Sequence, residues 1–215
     1  MLKVLIMGPA GSGKGTVSDK IVETYQLQHI STGDMFRDEI KRETSLGREA
    51  NSYITKGLLV PDDVTIRMVK KRLKRKDCQN GYILDGFPRS VPQAEAIEEI
   101  GINCVLNLTI DKQVLEDRIV YRRICKQCGA AYNLKSLPPM VEDVCDKCGG
   151  QLYQRADDSL EKLEVRLNSY ENETRPVVDL YREKGVVYDI DAAQSPQQVF
   201  NQVKEVLDRI KGETQ

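Results

Sequence analysis

Four short apolar runs, KVLIMG, GYILDG, CVLNLTI and GVVYDI, recur along the 215-residue chain, each separated from the next by segments with helical punctuation. That alternation predicts an α/β layer with parallel strands. The first run meets a glycine-rich loop at once, and Val17, Ile21, Val22 and Tyr25 behind the loop form an apolar stripe near helical spacing. A second helix is predicted from about Asp62, where Asp62 and Asp63 suit a helix N-terminus and Pro61 precedes them. The final helix has the clearest signature. Ser195 is its expected N-cap, Pro196 its first residue, and Val199, Val203, Val206 and Ile210 share one face beside Phe200 and Leu207. This helix should cover the sheet.

Two stretches break the alternation. Between Ser31 and Val60 the strand signal gives way to the helical pieces GDMFRDEIKRE and LGREANSYITKG, the second ending at an expected C-cap, Gly57. The other break is a cysteine-bearing segment, entered from DKQVLEDRIVYRRI and left through DDSLEKLEVRL, where Asp158 and Glu161 suggest a capping-box start. The expected organisation is one core (1–30, 61–120 and 159–215) carrying a helical flap (31–60) and a cysteine-bearing insertion (121–158). The chain contains no internal repeat and no low-complexity tract.

A chain of this length can bury a core without a disulfide framework. Lys plus Arg (32) nearly balances Asp plus Glu (33), so overall charge gives no argument for nucleic acid or an anionic membrane surface as a partner. No apolar run approaches the roughly 20 residues needed to span a bilayer, and the expectation is a soluble, cytoplasmic protein. Four of the six cysteines fall in two CxxC pairs, the pattern of metal ligands in a reducing compartment. Cys78 and Cys104 stand apart and read as buried thiols or surface bystanders.

The stretch MGPAGSGKGT follows a strand and precedes a helix, the context in which a glycine pattern becomes a phosphate site. Gly8, Gly11, Gly13 and Gly15 let the backbone aim N–H groups at phosphate oxygens, the helix N-terminus favours the anion, and Lys14 supplies a mobile cation. Gly15 stands where the strict pattern has Ser or Thr, so the hydroxyl of Thr16 comes one residue late for direct magnesium ligation. Asp85, in ILDGFPR at the end of a second apolar strand, occupies a position from which a carboxylate holds magnesium directly or through water. Alone it would read as a strand-end turn residue; with Lys14 it completes a nucleotide site.

Taken together, GPAGSGKGT, ISTGDMFR, ILDGFPRSVPQ, DRIVYRRICKQCG, YQRADDS and EVRL, in this order, resemble the adenylate kinases, in the long form with a zinc-bearing lid. The resemblance spans essentially the whole chain. It implies a P-loop kinase core with a central parallel sheet flanked by helices, a helical flap for the nucleoside monophosphate, and magnesium-dependent phosphoryl transfer from ATP to AMP giving two ADP. It also implies site residues. Gly11, Ser12, Gly13, Lys14, Gly15 and Thr16 match the ATP phosphate cradle. Thr32, Arg37, Leu58, Leu59, Val60, Gly86, Phe87, Pro88, Arg89 and Gln93 match the AMP contacts. Arg118 and Arg122 match ATP-side arginines, Ala131 and Tyr132 lid contacts to ATP, and Arg155 and Arg166 the arginines facing AMP and the transferred group. Gln194 falls where the family touches the adenine of ATP through its backbone. The family resemblance favours a monomer.

Transfer to an AMP phosphate oxygen needs no base, since that oxygen is already ionised. His29, the single histidine, accordingly reads as structural or as a surface residue. The reaction does need charge neutralisation, in-line alignment and exclusion of water, for which planar, permanently charged arginine is suited. Arg118 and Arg122, four residues apart on a predicted helix, should project from one face, and Asp157 and Asp158 could orient the arginines. The amide of Gln93 can offer an adenine edge both a donor and an acceptor.

Cys125, Cys128, Cys145 and Cys148 supply four thiolates at zinc-site spacing, with Gly129 and Gly149 after the second cysteine of each pair. Four protein ligands leave no open position, so the metal, zinc or iron, should be structural. Two rival readings remain at this stage. One is a zinc-ribbon nucleic-acid module on a P-loop ATPase, disfavoured because Lys126, Lys135 and Lys147 balance Glu142, Asp143 and Asp146 within the segment. The other is a kinase for a different nucleoside monophosphate.

Overall fold

A computed structural model of the chain describes residues 1–213; the last two residues of the expected core span lie outside those described. From the N-terminus, β1 (Lys3–Met7) leads through the glycine loop into α1 (Lys14–Tyr25), then β2 (Gln28–Ser31), α2 (Thr32–Lys41), α3 (Ser45–Ile54) and α4 (Asp62–Leu73). Next come β3 (Tyr82–Asp85), α5 (Val91–Glu95), β4 (Cys104–Thr109), α6 (Lys112–Val120) and the short strands β5 (Arg122–Cys125), β6 (Ala131–Asn133) and β7 (Leu152–Tyr153). The chain ends with α7 (Leu160–Ser169), a π-helical turn (Tyr170–Thr174), α8 (Arg175–Glu183), β8 (Val187–Asp191) and α9 (Pro196–Glu213).

The main sheet is parallel, in the order β2-β3-β1-β4-β8. Its strands alternate their contacts. Val4 and Ile6 of β1 pack with Val17 and Ile21 of α1 and with Val199, Val203, Leu207 and Ile210 of α9. Leu5 and Met7 pack on the other face against Val69, Ala94, Val177, Val178 and Tyr181. A sheet covered on both faces explains why its strands read as unbroken apolar runs rather than as alternating ones. As expected, α9 covers the sheet, with Val199 N–H donating to the Ser195 carbonyl at 3.0 Å.

Three local expectations are corrected. The sequence pattern predicts four strands and the sheet has five; β2, whose residues are Gln28, His29, Ile30 and Ser31, carries only one fully buried apolar side chain, Ile30, and so lacks the run that marks its neighbours. Helix α3 ends at Ile54, capped by Thr55, and Gly57 turns the chain two residues later with φ of 76°. The N-cap of α7 is Ser159, which accepts from Lys162 N–H at 3.3 Å, because the buried Asp158 carboxylate is committed to Arg122.

Two small clusters lie apart from the sheet. Phe36, Ala50 and Val60 pack with Leu46, Tyr53 and Ile54 between α2 and α3. Cys125, Ala130, Tyr132, Cys145 and Leu152 form the centre of the antiparallel sheet β6-β5-β7. Neither cluster is large, and the second has few apolar side chains for the length of chain it must order. Among the described residues, no helix is long and apolar enough to cross a membrane.

Candidate active site

The site gathers at the C-terminal ends of β1 and β3, where an open parallel sheet leaves room for a ligand. After β1, Gly8, Gly11 and Gly13 have φ of 139°, 84° and 93°, and Gly13 is the N-cap of α1. Gly15 is not one of the turning glycines: it lies in the first turn of α1, with no atom within 4 Å of where a Cβ would stand. Lys14 is tethered, donating to the carbonyls of Gly8 and Pro9 at 2.8 Å each. Burial, together with Arg89, Arg166 and Arg122, outweighs the favourable charge of Asp85 and lowers the Lys14 pKa to about 8. The Ser12 hydroxyl inside the loop is buried and has no hydrogen-bond partner in the protein.

At the end of β3, Asp85 lies 3.5 Å from His29 Nε2. At that length, and with His29 Nε2 lacking a well-aligned hydrogen bond, the pair is an electrostatic contact. Burial would raise Asp85, but His29 and Lys14 prevail and hold it below the usual carboxylate range. His29 responds in the opposite sense: burial lowers it, and Asp85, Asp34 and Asp19 bring the net shift upward. His29 is thus a half-buried residue of β2 beside Asp85.

The GFPR turn follows, with a cis Phe87–Pro88 bond. Gly86 has φ of 75°, and a Cβ there would stand 2.7 Å from Arg89 Nη2 and 3.0 Å from the Thr32 hydroxyl. Thr32 Oγ1 donates to the Gly86 carbonyl at 2.7 Å, and Arg89 Nε donates to the same oxygen at 2.8 Å. Thr174, in the π-helical turn, donates to the Arg89 carbonyl at 2.9 Å. Gln93 is buried: its Oε1 accepts from Arg89 N–H at 2.8 Å and its Nε2 donates to Asp62 at 2.7 Å. Asp62, Ser90 and Thr174 thus fix the turn that presents Arg89. In the sequence Asp62 carried only a helix-end preference, and Thr174 carried no signal.

Arginines converge on this floor from every side. Arg37 pairs with Asp34, both on α2. Arg122 does not share a helix face with Arg118, because α6 ends at Val120 and Arg122 opens β5. Its Nε donates to Asp158 at 2.8 Å and its Nη2 also contacts that carboxylate, whose side chain is fully buried. Arg166 lies 3.0 Å from Asp157 and 3.7 Å from Asp158. Arg118 hangs over the loop, its Nη1 3.9 Å from a Cβ built on Gly13. Burial, then Arg37 and Arg122, lower the Arg155 pKa, and its Nε is buried without a partner. Among the described residues, Lys14, Arg89 and Arg155 have no carboxylate within ion-pair distance. A cavity of about 70 Å³ runs between the loop, Leu59, Arg89 and Arg166; it is narrower than a nucleotide needs.

Other expected positions are more peripheral. Leu58 is exposed, Leu59 borders the cavity and Val60 belongs to the cluster between α2 and α3. Thr16 and Ala131 are exposed. The Tyr132 side chain points into the small antiparallel unit, its hydroxyl 3.4 Å from Cys145 Sγ and accepting from Asp146 N–H at 2.8 Å; only its backbone is left for a nucleotide. Gln194 is exposed in the turn after β8 and donates to Asp191 at 3.1 Å.

The four cysteine sulfurs lie within 4.8 Å of one another, with Cys125–Cys148 at 3.5 Å and Cys128–Cys145 at 3.6 Å. A tetrahedron with metal–sulfur bonds of about 2.3 Å has edges of roughly 3.8 Å, so the cluster could take a zinc ion with only small shifts of the sulfurs. All are free thiols, and Gly129 and Gly149 take the left-handed turns (φ 75° and 72°) expected after each CxxC pair. Gln127 N–H points at Cys125 Sγ at 3.4 Å, in the manner of amides that support metal thiolates.

The adenylate kinase family model matches residues 6–186. The chain belongs to the adenylate kinase family. It is 49% identical to the adenylate kinase of Carboxydothermus hydrogenoformans over 214 residues, covering 97% of this chain and 100% of that protein. It is 50% identical to the adenylate kinase of Bacillus subtilis over 216 residues, covering 98% and 100%. The α/β architecture, with a parallel sheet between two helical layers, is that expected of an adenylate kinase core, and the chain is a nucleoside monophosphate kinase.

Proposed function

We propose that this cleft carries out reversible transfer of the terminal phosphoryl group of ATP to AMP, giving two ADP and keeping adenine nucleotides in balance. The observation that carries the reading is the charge pattern: Lys14, Arg89 and Arg155, from the glycine loop, the β3 turn and the cysteine-bearing insertion, converge without carboxylate partners among the described residues. Such a set is costly unless polyanions neutralise it.

In this reading the loop from Gly11 to Thr16 and Lys14 hold the ATP phosphates, with Arg118 above them. Arg37 and Arg89 hold the AMP phosphate, Thr32, Leu58, Leu59, Val60, the segment Gly86 to Arg89 and Gln93 complete its pocket, and Arg122, Arg155 and Arg166 surround the group in flight. The attacking oxygen needs no deprotonation, so positioning and charge neutralisation suffice. Asp85 suits magnesium carried in with ATP, since such sites need only one or two carboxylates besides the phosphates. Bound there, magnesium would neutralise phosphate charge. Cys125, Cys128, Cys145 and Cys148 would hold zinc in a closed shell that stiffens the lid.

Residues 31–60 and 121–158 act as flap and lid, closing over the two nucleotides and excluding water. A cytoplasmic monomer completes the reading, supported by six free thiols, which suit a reducing compartment. The test is an ADP-forming assay with ATP and AMP, run also with UMP, CMP and GMP and without magnesium. Turnover confined to AMP and lost without magnesium is expected; equal turnover with another acceptor would overturn the base assignment.

A further inference from the structure

The Gln93 amide is fixed at both ends by groups that leave it no choice of orientation. A backbone N–H cannot accept and a carboxylate cannot donate, so the atom facing Arg89 N–H must be Oε1 and the atom facing Asp62 must be Nε2. Asp62 is itself held. Its Oδ1 takes Gln93 Nε2 at 2.7 Å and its Oδ2 takes the Ser90 hydroxyl at 2.7 Å, while Ser90 Oγ accepts from Gln93 N–H at 3.3 Å. Helix α4 thus reaches across to the start of α5 and locks one amide.

We propose that Asp62 is a specificity-determining positioning residue, which selects a 6-amino purine over a 6-oxo purine by setting the orientation of the Gln93 amide. The inference rests on the reading that Gln93 meets the acceptor base. With one Oε1 lone pair and one Nε2 hydrogen already engaged, the amide keeps one acceptor and one donor in a fixed order. Adenine offers N1 as acceptor beside an N6 amino donor; hypoxanthine and guanine offer N1–H and O6, the opposite order. An amide free to turn over would serve both kinds of base, and one locked by Asp62 and Arg89 N–H serves one. A site built to pair a given donor rejects the analogue that leaves its polar groups unpaired.

The test compares Asp62→Ala, Asp62→Asn and Gln93→Ala with the parent protein. The readouts are KM for AMP, the inhibition constant of IMP against AMP, KM for ATP, and melting temperature. IMP is the probe because it differs from AMP only at N1 and position 6. Asp62→Ala should lower the preference for AMP over IMP by about tenfold, the equivalent of one hydrogen bond, with KM for ATP unchanged. Asp62→Asn, an isostere whose own amide can pair Gln93 in either orientation, should give an intermediate loss of about threefold and serves where Asp62→Ala does not fold. Gln93→Ala should reduce the preference at least as far as Asp62→Ala.

If both Asp62 variants melt earlier but keep the parent preference while Gln93→Ala loses it, Asp62 merely braces the helix end and the proposal fails. If Gln93→Ala also keeps it, the assignment of Gln93 to the base fails, and the proposal with it.

Discussion

Replacing Asp158 with Asn removes one charge from the most buried ion pair of the cleft and leaves its shape intact. The Asp158 side chain is fully buried and that of Arg122 is 17% exposed, with two guanidinium nitrogens of Arg122 on the carboxylate and Arg166 at 3.7 Å. Breaking a buried pair by removing one partner costs about 3–5 kcal/mol. Asn keeps one acceptor and Arg122 retains some access to water, so the expected cost is about 2–3 kcal/mol. For a chain of this size each kcal/mol lowers the melting temperature by about 2–4 °C, which gives a fall of about 5–10 °C. The decisive assay repeats the melt with saturating ATP and a non-reacting AMP analogue. Their phosphates give Arg122 a replacement anion, so the gap between variant and parent should shrink by at least half. A gap that stays constant or widens with bound nucleotide would show that Asp158 braces the fold independently of the phosphate site, and that the lid arginines are not poised for polyanions.

The Lys14 pKa, lowered to about 8, lies below the ordinary lysine value of 10.5, so the folded protein without nucleotide releases this proton more readily than the unfolded chain does. Its destabilising contribution is fully present below about pH 8 and fades as pH rises toward 10.5; triphosphate restores the charge, and calorimetry in two buffers near pH 9 should therefore detect proton uptake on ATP binding that Lys14→Met abolishes. Cys145→Ser should release zinc and add an early calorimetric transition. The expected cost is above about 3 kcal/mol but well below the 10 kcal/mol or more seen in isolated zinc modules, since the core anchors both ends of the lid; ATP affinity should hold within about threefold. Gly86→Ala places a methyl 2.7 Å from Arg89 Nη2 at φ of 75°. Steady-state assays should show kcat reduced by about 100-fold, and thermal melts a stability loss of about 1–2 kcal/mol.

Legibility followed the physics of each element. The glycine loop, the apolar strands and the CxxC pairs were readable because each encodes its function locally: a turn followed by a helix N-terminus, a run buried on both faces, or a closed ligand set. Strand β2 was not, since Gln28, His29 and Ser31 are polar and only partly buried, and Ile30 alone is a fully buried apolar side chain. The spacing of Arg122 from Arg118 places it on a helix, but α6 stops at Val120 and Arg122 opens β5. The partners that orient the arginines are long-range. Arg122 finds Asp158 36 residues away, and Thr174 reaches the Arg89 carbonyl across 85. No periodicity or spacing encodes such contacts. Family resemblance supplied the arginine list, and the structure adds which of them already hold a carboxylate.

Under the proposed function, that division of the arginines would couple closure to cargo. Asp34 partly neutralises Arg37, and Asp157 and Asp158 do the same for Arg166 and Arg122, so these arginines keep their orientation whether or not a phosphate is near. Lys14, Arg89 and Arg155 have no carboxylate within ion-pair distance among the described residues, although Asp85 lies near enough to favour the charge of Lys14 and Arg89, and they come from three different segments. Arg155 sits close enough to Arg37 and Arg122 for their charge to lower its pKa, and Lys14 feels Arg89, Arg166 and Arg122. In the proposed reading, bringing flap and lid together would crowd the cleft's cations until a polyphosphate lay between them, after which the same approach would be favourable. Closure in that reading would exclude water once both phosphate chains are present, favouring transfer to AMP over loss of the phosphoryl group to solvent. The cysteine cluster fits this scheme without entering the chemistry. The cysteine unit has a small apolar core, and in the same reading a metal held by its four thiolates would let it move as one body with Arg155 in fixed geometry.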